Sequence, residues 1–208
     1  MLDIDAIVRA PLVRDPFDHF IAHGVVPPES MGSVISDAPA VTSTGSVPLA
    51  GLPYGPAFER LVEDLKSREF SAAVGVHFAL PDLPERAQLI TFRARAGAKD
   101  GSVHTDSEWK IVTVLLYLNP DWGDPGGRLR LLRSNDVEDV AVEIPPDYGT
   151  LLAFRRSDRS FHGHRPFVGE RRLLQVNWVT DAAYVTREER RHRGSALLKK
   201  WLRFGASS

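Results

Sequence analysis

Two short stretches of the chain carry the residue types of a metal site built from nitrogen and oxygen ligands. The H-x-D sequence from His104 to Asp106 places an imidazole and a carboxylate two positions apart, and such residues share a face on an extended strand. Downstream, residues 160–166 read SFHGHRP and bring two more imidazoles. One of these would complete a two-histidine, one-carboxylate triad, which leaves positions open on Fe(II) for oxygen chemistry. Because His162 and His164 share a strand face, spacing alone leaves open which of them is the third ligand.

An arginine pair on the next predicted strand suits the binding of an organic acid. A 2-oxo acid that chelates iron through its first carboxylate and its keto oxygen leaves a far carboxylate, which a guanidinium can bind in a bidentate manner. Strand alternation places Arg171 on one face with Gln175 and Asn177, whereas Arg172 shares the other face with apolar residues. A polar face suits a wet ligand cavity. We therefore predict Arg171 as the anchor and keep Arg172 as the alternative.

The composition limits the available metal ligands and the classes of partner. The chain has 208 residues, no cysteine and a formal net charge of -1. A disulfide framework, an iron–sulfur cluster, cysteine-ligated zinc and a thiol nucleophile are therefore excluded. No apolar run approaches the roughly 18 residues of a membrane span, and the acidic N-terminus is unlike a signal peptide, so we expect a cytoplasmic protein that makes no use of a membrane. The near-neutral charge disfavours nucleic acid as a partner.

Local patterns divide the 208 residues into three parts of one predicted domain. Residues 1–70 are predicted to form a helical preface, with a long loop rich in Pro and Gly at 36–56 that is either a lid or a disordered segment. Residues 71–180 are predicted to form a β-rich catalytic core. Residues 181–208 contain seven Lys or Arg against three Asp or Glu, and they predict a basic C-terminal helix that is a candidate interaction surface.

The expected elements follow from hydrophobic spacing and from turn residues. Apolar spacing predicts helices at 15–23, 29–35 and 57–69, and a T-x-x-E capping box at 186–189 predicts the start of the C-terminal helix. Short apolar runs between turn residues predict seven strands, at 73–80, 87–95, 111–118, 128–133, 137–144, 149–155 and 171–179. Many short strands suggest a sandwich or barrel. With helices before them, the class is α+β.

The segment from 104 to 179 resembles the Fe(II)/2-oxoglutarate dioxygenases of the prolyl-hydroxylase type, in particular the catalytic domain of the hypoxia-factor prolyl hydroxylases. In chain order the shared features are H-x-D, YLNPDW at 117–122, GG-x-L at 126–129, GTLLAFRRSD at 149–158, and H-x-x-x-P followed by arginine. The resemblance implies a double-stranded β-helix (a jelly roll, cupin-like), with N-terminal helices packed on it and a C-terminal helix.

The resemblance also implies the roles of individual residues. It implies that Fe(II) is bound by His104, Asp106 and His162; the proline and arginine that follow at the family's spacing favour His162 over its neighbour. It implies 2-oxoglutarate as co-substrate, bound by Arg171 and Tyr117, with O2 as oxidant and ascorbate as a candidate reductant. The implied reaction hydroxylates a C–H bond of an amino acid, a peptidyl (prolyl-like) residue or a small metabolite, and it releases succinate and CO2.

The chain departs from the family pattern at two positions, which leaves the substrate open. Arg95 stands where the hypoxia-type enzymes have a tyrosine before H-x-D, and His164 stands where a small aliphatic residue is usual. Together with Arg172, Gln175 and Asn177, these two are candidates to support or replace the principal site residues. Two other functions stay open: a cupin-like metal barrel of another reaction type, with His164 as a fourth ligand, and a non-enzymatic binding module.

Overall fold

Two antiparallel β-sheets form the centre of the computed structural model, which describes residues 1–191. The helices are α1 (Ile4–Arg9), α2 (Met31–Ser36), α3 (Pro56–Lys66) and α4 (Arg68–His77), with a further helix at 182–191. The strands are β1 (His19–Ala22), β2 (Val47–Pro48), β3 (Ala87–Ala96), β4 (Lys110–Tyr117), β5 (Leu129–Leu132), β6 (Val140–Ile144), β7 (Leu151–Arg155), β8 (His162–Gly163) and β9 (Gly169–Val179). Single 3-10 turns lie at Pro28–Ser30 and Leu83–Glu85.

The strands are divided into a large and a small sheet. The large sheet has the order β1-β7-β4-β9-β3-β2, and the small sheet has the order β6-β5-β8. An apolar cluster between them draws side chains from both, among them Leu115 and Leu173 of the large sheet and Leu129 and Leu131 of the small one. The sheets therefore pack face to face, which is the layer arrangement of a sandwich or jelly roll.

The helices cover the outer face of the large sheet. In α3, apolar residues recur at the spacing of a single helix face, and Phe58, Leu61 and Leu65 are fully buried there. Phe58 meets Phe92 of β3 edge to face at 5.4 Å, and each such side chain contributes about 1.5–3 kcal/mol through its burial. The central strands are thus buried on both faces, so each has an outer side toward the helices and an inner side toward the small sheet.

Most of the predicted elements are confirmed. Strands occupy six of the seven predicted positions, and α2 and α3 fall within a few residues of the predicted helices. The alternation predicted along β9 also holds: Leu174, Val176 and Trp178 pack toward the helices, whereas Arg171 and Gln175 face the opposite side. The mixture of helices with antiparallel sheets confirms the α+β class.

Three local predictions are wrong. Residues 15–23 do not form a helix, because 19–22 pair with β7 as β1, and a short apolar run fits either structure until its tertiary partner decides. Residues 73–80 are not a strand: Ser67 accepts a hydrogen bond from the amide of Phe70 and caps a helix that runs through 77. The C-terminal helix begins at 182 rather than at the predicted capping box, and the Asp181 carboxylate accepts from the amide of Ala183 at its start.

The long segment at 36–56 contributes to the large sheet. Its residues 47–48 form β2, which pairs with Thr91 and Phe92 of β3 at the sheet edge. Leu49 is buried in the helix-side core. The predicted helical preface therefore supplies edge strands on both sides of the large sheet.

The part of the predicted basic helix beyond 191 lies outside the described residues. Between 1 and 191, no helix is both long and apolar enough to cross a bilayer.

Candidate metal and co-substrate site

A backbone pairing places the two histidines of the predicted triad, His104 and His162, side by side. The amide of His104 donates to the carbonyl of His162 at 3.0 Å, and the amide of His162 returns a bond of the same length. Residues that exchange two such bonds stand directly opposite each other, with their side chains on the same face. The two imidazole rings accordingly lie 4.4 Å apart between centroids.

Two glycines allow this close approach. Gly163 lies so near the 101–103 backbone that a Cβ added there would meet the Gly101 carbonyl oxygen at 2.7 Å. Gly101 itself has φ +89 and is covered by the ring of His164, so a side chain there would be both strained and obstructed. Small residues at both positions therefore let β8 pack directly against the segment that carries the first ligand candidate.

Asp106 completes a cluster whose ligand atoms all lie within 4.8 Å of one another. Its Oδ1 accepts from Lys110 Nζ at 2.6 Å and its Oδ2 accepts from Thr113 Oγ1 at 2.6 Å. Burial by itself would raise the pKa of Asp106, but the charge of Lys110, with further help from His162 and Thr113, holds it below the ordinary value. The carboxylate is therefore ionised and fixed in orientation.

Both candidate histidines present the same ring nitrogen to the cluster. Nδ1 of His104 bonds to the carbonyl of Ser102 at 2.8 Å, and Nδ1 of His162 bonds to the carbonyl of Ser160 at 2.9 Å. A backbone carbonyl on Nδ1 fixes the tautomer that leaves Nε2 free to ligate a metal. Burial also lowers the pKa of His162 to about 4, so its imidazole is in the neutral, ligating form at physiological pH. The donor set fits a hard or borderline divalent metal such as Fe(II).

His164 lies near this cluster but is not part of it. Its Nδ1 bonds to the carbonyl of Arg165 at 2.8 Å, and its ring lies over Gly101 and lines the cavity beside the triad. Burial, followed by the charge of Arg171, lowers its pKa to about 4. Among the described residues, the cluster with metal-binding geometry contains His162 rather than His164.

The same cavity ends at Arg171, and Tyr117 is buried beside it. Arg171 is 2% exposed, and its Nε donates to the carbonyl of Gly127 at 2.7 Å. Its guanidinium carbon lies 5.4 Å from the ring centroid of Tyr117. Within the part of the chain from 1 to 191, Nη2 of Arg171 and the Tyr117 hydroxyl are buried without a hydrogen-bond partner. Buried polar groups are rarely left unpaired, so both atoms are suited to a bound acceptor.

Burial also shapes the ionisation of this pair. It raises the pKa of Tyr117, although the charge of Arg171 opposes the shift. It lowers the pKa of Arg171, but a guanidinium remains protonated. Arg171 therefore offers a fixed positive charge at the end of the cavity, and the buried Tyr117 beside it has a neutral hydroxyl. Together the two groups match a carboxylate.

The other candidate residues divide between the inside and the outside of the cavity. Gln175 lines the cavity. Its Nε2 donates to Oδ1 of Asn177, and the same oxygen lies 3.1 Å from Thr113 Oγ1. Arg172 is on the opposite face of β9 and pairs with Glu170 at 2.7 Å.

The structure places Arg95, a candidate near the substrate side, outside the cavity. The β3–β9 register shifts between Arg93 and Arg95, so Arg95 is opposite Glu170, outside the cavity, and Arg93 faces inward. Such an irregularity re-aims a side chain, and sequence alternation alone gives no sign of it. Lys110 was also missed as a cavity residue, because its ion pair with Asp106 forms at the start of β4 and not on a helix, where a four-residue spacing would have indicated it.

The fold and this geometry agree with what comparisons with known proteins find. Residues 91–180 match the family described as the 2OG-Fe(II) oxygenase superfamily, and this range spans the cavity-forming strands and the H-x-D, H-x-x-x-P and arginine sequences. The chain carries a 2OG-Fe(II) oxygenase domain. It is therefore a dioxygenase that uses iron, 2-oxoglutarate and O2.

Solved structures similar to this oxygenase include prolyl hydroxylases. One is a prolyl-4-hydroxylase from Pseudomonas putida, at 17% identity and a TM-score of 0.56, covering 85% of this chain and 96% of that one. A second is a prolyl hydroxylase from Trichoplax adhaerens in complex with a hypoxia inducible factor peptide fragment, at 20% identity and a TM-score of 0.53, covering 89% and 90%.

A third is the viral collagen prolyl hydroxylase of Paramecium Bursaria Chlorella virus-1 in its 2OG complex, at 15% identity and a TM-score of 0.53, covering 81% and 99%. No curated protein matches the sequence. At these identities the likeness concerns the fold, and it confirms the predicted jelly roll, here with two sheets that are not hydrogen-bonded into a closed barrel.

Proposed function

We propose that this oxygenase hydroxylates a C–H bond of a small-molecule, amino-acid or peptidyl substrate, with His104, Asp106 and His162 holding Fe(II). The observation that carries the proposal is that one cavity is lined by the triad at one end and by Arg171 at the other. There, Arg171 Nη2 and the hydroxyl of the adjacent buried Tyr117 have no hydrogen-bond partner among the described residues. A 2-oxo acid needs both ends. Its chelating group requires a metal, and its far carboxylate requires a cation.

The metal would be held by two imidazole Nε2 atoms and one carboxylate oxygen. When bound, Fe(II) supplies the oxidising chemistry together with 2-oxoglutarate and O2, and the products are succinate, CO2 and a hydroxylated substrate. The protein contributes the geometry of the ligands. Lys110 and Thr113 orient the carboxylate of Asp106, and Arg156 Nε donates to its backbone carbonyl at 3.1 Å.

The remaining cavity residues would bind and align the co-substrate. Arg171 is held by the Gly127 carbonyl through Nε, which leaves its terminal nitrogens to bind the far carboxylate, and the Tyr117 hydroxyl would donate to the same group. Leu115 and Leu173 line the cavity between the two ends and would exclude water from the methylene chain. Removing water strengthens the charge interactions at both ends.

The proposed reaction is tested by its products. Purified protein with Fe(II) and 2-oxoglutarate in air should form succinate, slowly without substrate and faster with it. A chelator should stop this, and added Fe(II) should restore it. We propose ascorbate as the reductant that keeps the iron divalent, so ascorbate should prolong turnover without changing the initial rate. The proposal is contradicted if succinate formation is independent of Fe(II).

The alternative is a four-ligand metal site that includes His164. It is supported by the position of His164, which also lines the cavity. His164→Ala distinguishes the two. Under our proposal metal affinity stays within about 3-fold of wild type, whereas His162→Ala lowers it by at least about 100-fold, as expected when a ligand is lost. Equal losses in the two variants would favour the four-ligand site. A cytoplasmic location, and an acidic partner for the basic C-terminal segment, remain predictions.

A further inference from the structure

A second guanidinium faces the same cavity as Arg171. Arg93 lies on β3, and its side chain is 20% exposed and lines the cavity. Its Nη1 lies 3.3 Å from Oδ1 of Asp100, and its Nε donates to the Ser46 hydroxyl at 3.4 Å. Because a guanidinium has five N–H donors, these contacts leave donors for a ligand.

Arg93 and Tyr117 lie on opposite flanks of β9, the strand that carries Arg171. Arg93 is opposite Leu173 on one side, and Tyr117 is opposite Leu173 on the other. Since neighbouring strands are about 4.8 Å apart, the backbones of Arg93 and Tyr117 are separated by about 10 Å. Arg171 lies against the Tyr117 ring, whereas Arg93 is tied to Asp100. When a carboxylate is held between Arg171 and Tyr117, Arg93 on the other flank of β9 still has donors for a second anionic group.

The charges that line the cavity also favour a second anion. Three cationic side chains line it, namely Arg93, Lys110 and Arg171, and Asp106 is the one carboxylate among its lining residues in the described chain. Lys110 is already paired with Asp106. A cleft with excess positive charge and low-dielectric walls concentrates anions.

We infer that Arg93 binds a carboxylate of the primary substrate, so that the enzyme acts on a small molecule with a free carboxylate, such as an amino acid, rather than on an interior residue of a peptide. This inference rests on the proposed function, because it needs the co-substrate to occupy the Arg171 side. The substrate carboxylate would bind the donors of Arg93 that Asp100 and Ser46 leave free.

The experiment measures substrate-stimulated succinate formation with matched pairs of probes. The probes are the twenty free L-amino acids and small C3–C6 carboxylic acids, each compared with its primary amide. We expect at least one acid to stimulate turnover and its amide to fail. For that acid, Arg93→Met should raise KM by about 10- to 100-fold, the range for loss of a charged hydrogen bond, with kcat changed less than about 3-fold. Arg93→Lys should recover part of the loss.

Two controls separate this result from misfolding and from a failure of the proposed function. Arg95→Met removes an arginine from the same strand but outside the cavity, and it should leave KM unchanged. Anaerobic binding of 2-oxoglutarate to Arg93→Met loaded with Fe(II) should match wild type, because Arg171 is intact. The inference is overturned if no acid stimulates turnover, if amides serve as well, or if Arg93→Met weakens 2-oxoglutarate binding as much as substrate use. If wild type itself does not bind 2-oxoglutarate, the proposed function fails first.

Discussion

Thr113 Oγ1 lies 2.6 Å from Oδ2 of Asp106, while Lys110 Nζ lies 2.6 Å from the other oxygen of the same carboxylate. Both partners come from β4, the strand that follows the H-x-D segment in the chain. The orientation of the carboxylate is thus set by a rigid strand. This arrangement matters because a ligand held in position before the metal arrives binds it more tightly.

Thr113→Val removes the hydroxyl that orients Asp106 while it keeps the shape of the side chain. We expect the dissociation constant of Mn(II), a redox-stable substitute for Fe(II), to rise by about 10- to 100-fold. Calorimetric titration of the metal measures this. Thr91→Val is the matched control, because Thr91 is buried on β3 without lining the cavity, and it should bind Mn(II) like wild type. An unchanged affinity in Thr113→Val would contradict the orienting role.

Gly163→Ala tests the close packing of β8 against the segment that carries His104. The added methyl group would meet the Gly101 carbonyl oxygen at 2.7 Å, so β8 must move and carry His162 with it. We expect the free energy of unfolding to fall by about 1–3 kcal/mol, and Mn(II) affinity to fall by at least about 10-fold. Gly123→Ala is the control, since a Cβ there meets nothing within 4 Å. Wild-type metal binding in a folded Gly163→Ala protein would argue against this packing.

Tyr117→Phe should separate ligand binding from stability. The hydroxyl is buried without a partner in the described part of the chain, so its removal should not destabilise the protein and could stabilise it by up to about 1 kcal/mol. The same change should weaken 2-oxoglutarate binding by about 3- to 10-fold, because the bound carboxylate loses one donor. Thermal unfolding and anaerobic ligand titration provide the two readouts. A destabilised variant with normal affinity would mean that the hydroxyl has a structural role instead.

Arg171→Met and Arg172→Met compare neighbouring arginines that face opposite sides of β9. The first removes the buried cation at the end of the cavity and should weaken 2-oxoglutarate binding by at least about 100-fold. The second removes an arginine that pairs with Glu170, and it should change binding less than about 3-fold. Mn(II) affinity should be unchanged in both. If Arg172→Met has the larger effect on 2-oxoglutarate, the anchor is misassigned.

Much of the site could be predicted from the sequence because period-two alternation is reliable on a strand that is buried on both faces. That pattern places Arg171 inward and Arg172 outward along β9, as the structure does. Arg95 was named from the resemblance instead, and the irregularity after Arg93, which arises from how β3 pairs with β9, turns Arg93 inward in its place. Similarly, β1 could not be distinguished from a helix without its partner β7. Spacing also left His162 and His164 equivalent; the family resemblance favoured His162, and in the structure it is His162 that pairs with His104.

The central claim is that the triad and the Arg171 end of the cavity bind iron and 2-oxoglutarate together. Anaerobic titration of the protein with Fe(II) and then 2-oxoglutarate tests it most directly, by the weak visible metal-to-ligand charge-transfer band. We predict a band that saturates at one 2-oxoglutarate and one iron per chain, is absent in His162→Ala, and persists in His164→Ala. Absence of the band in wild type, or its persistence in His162→Ala, would contradict the account.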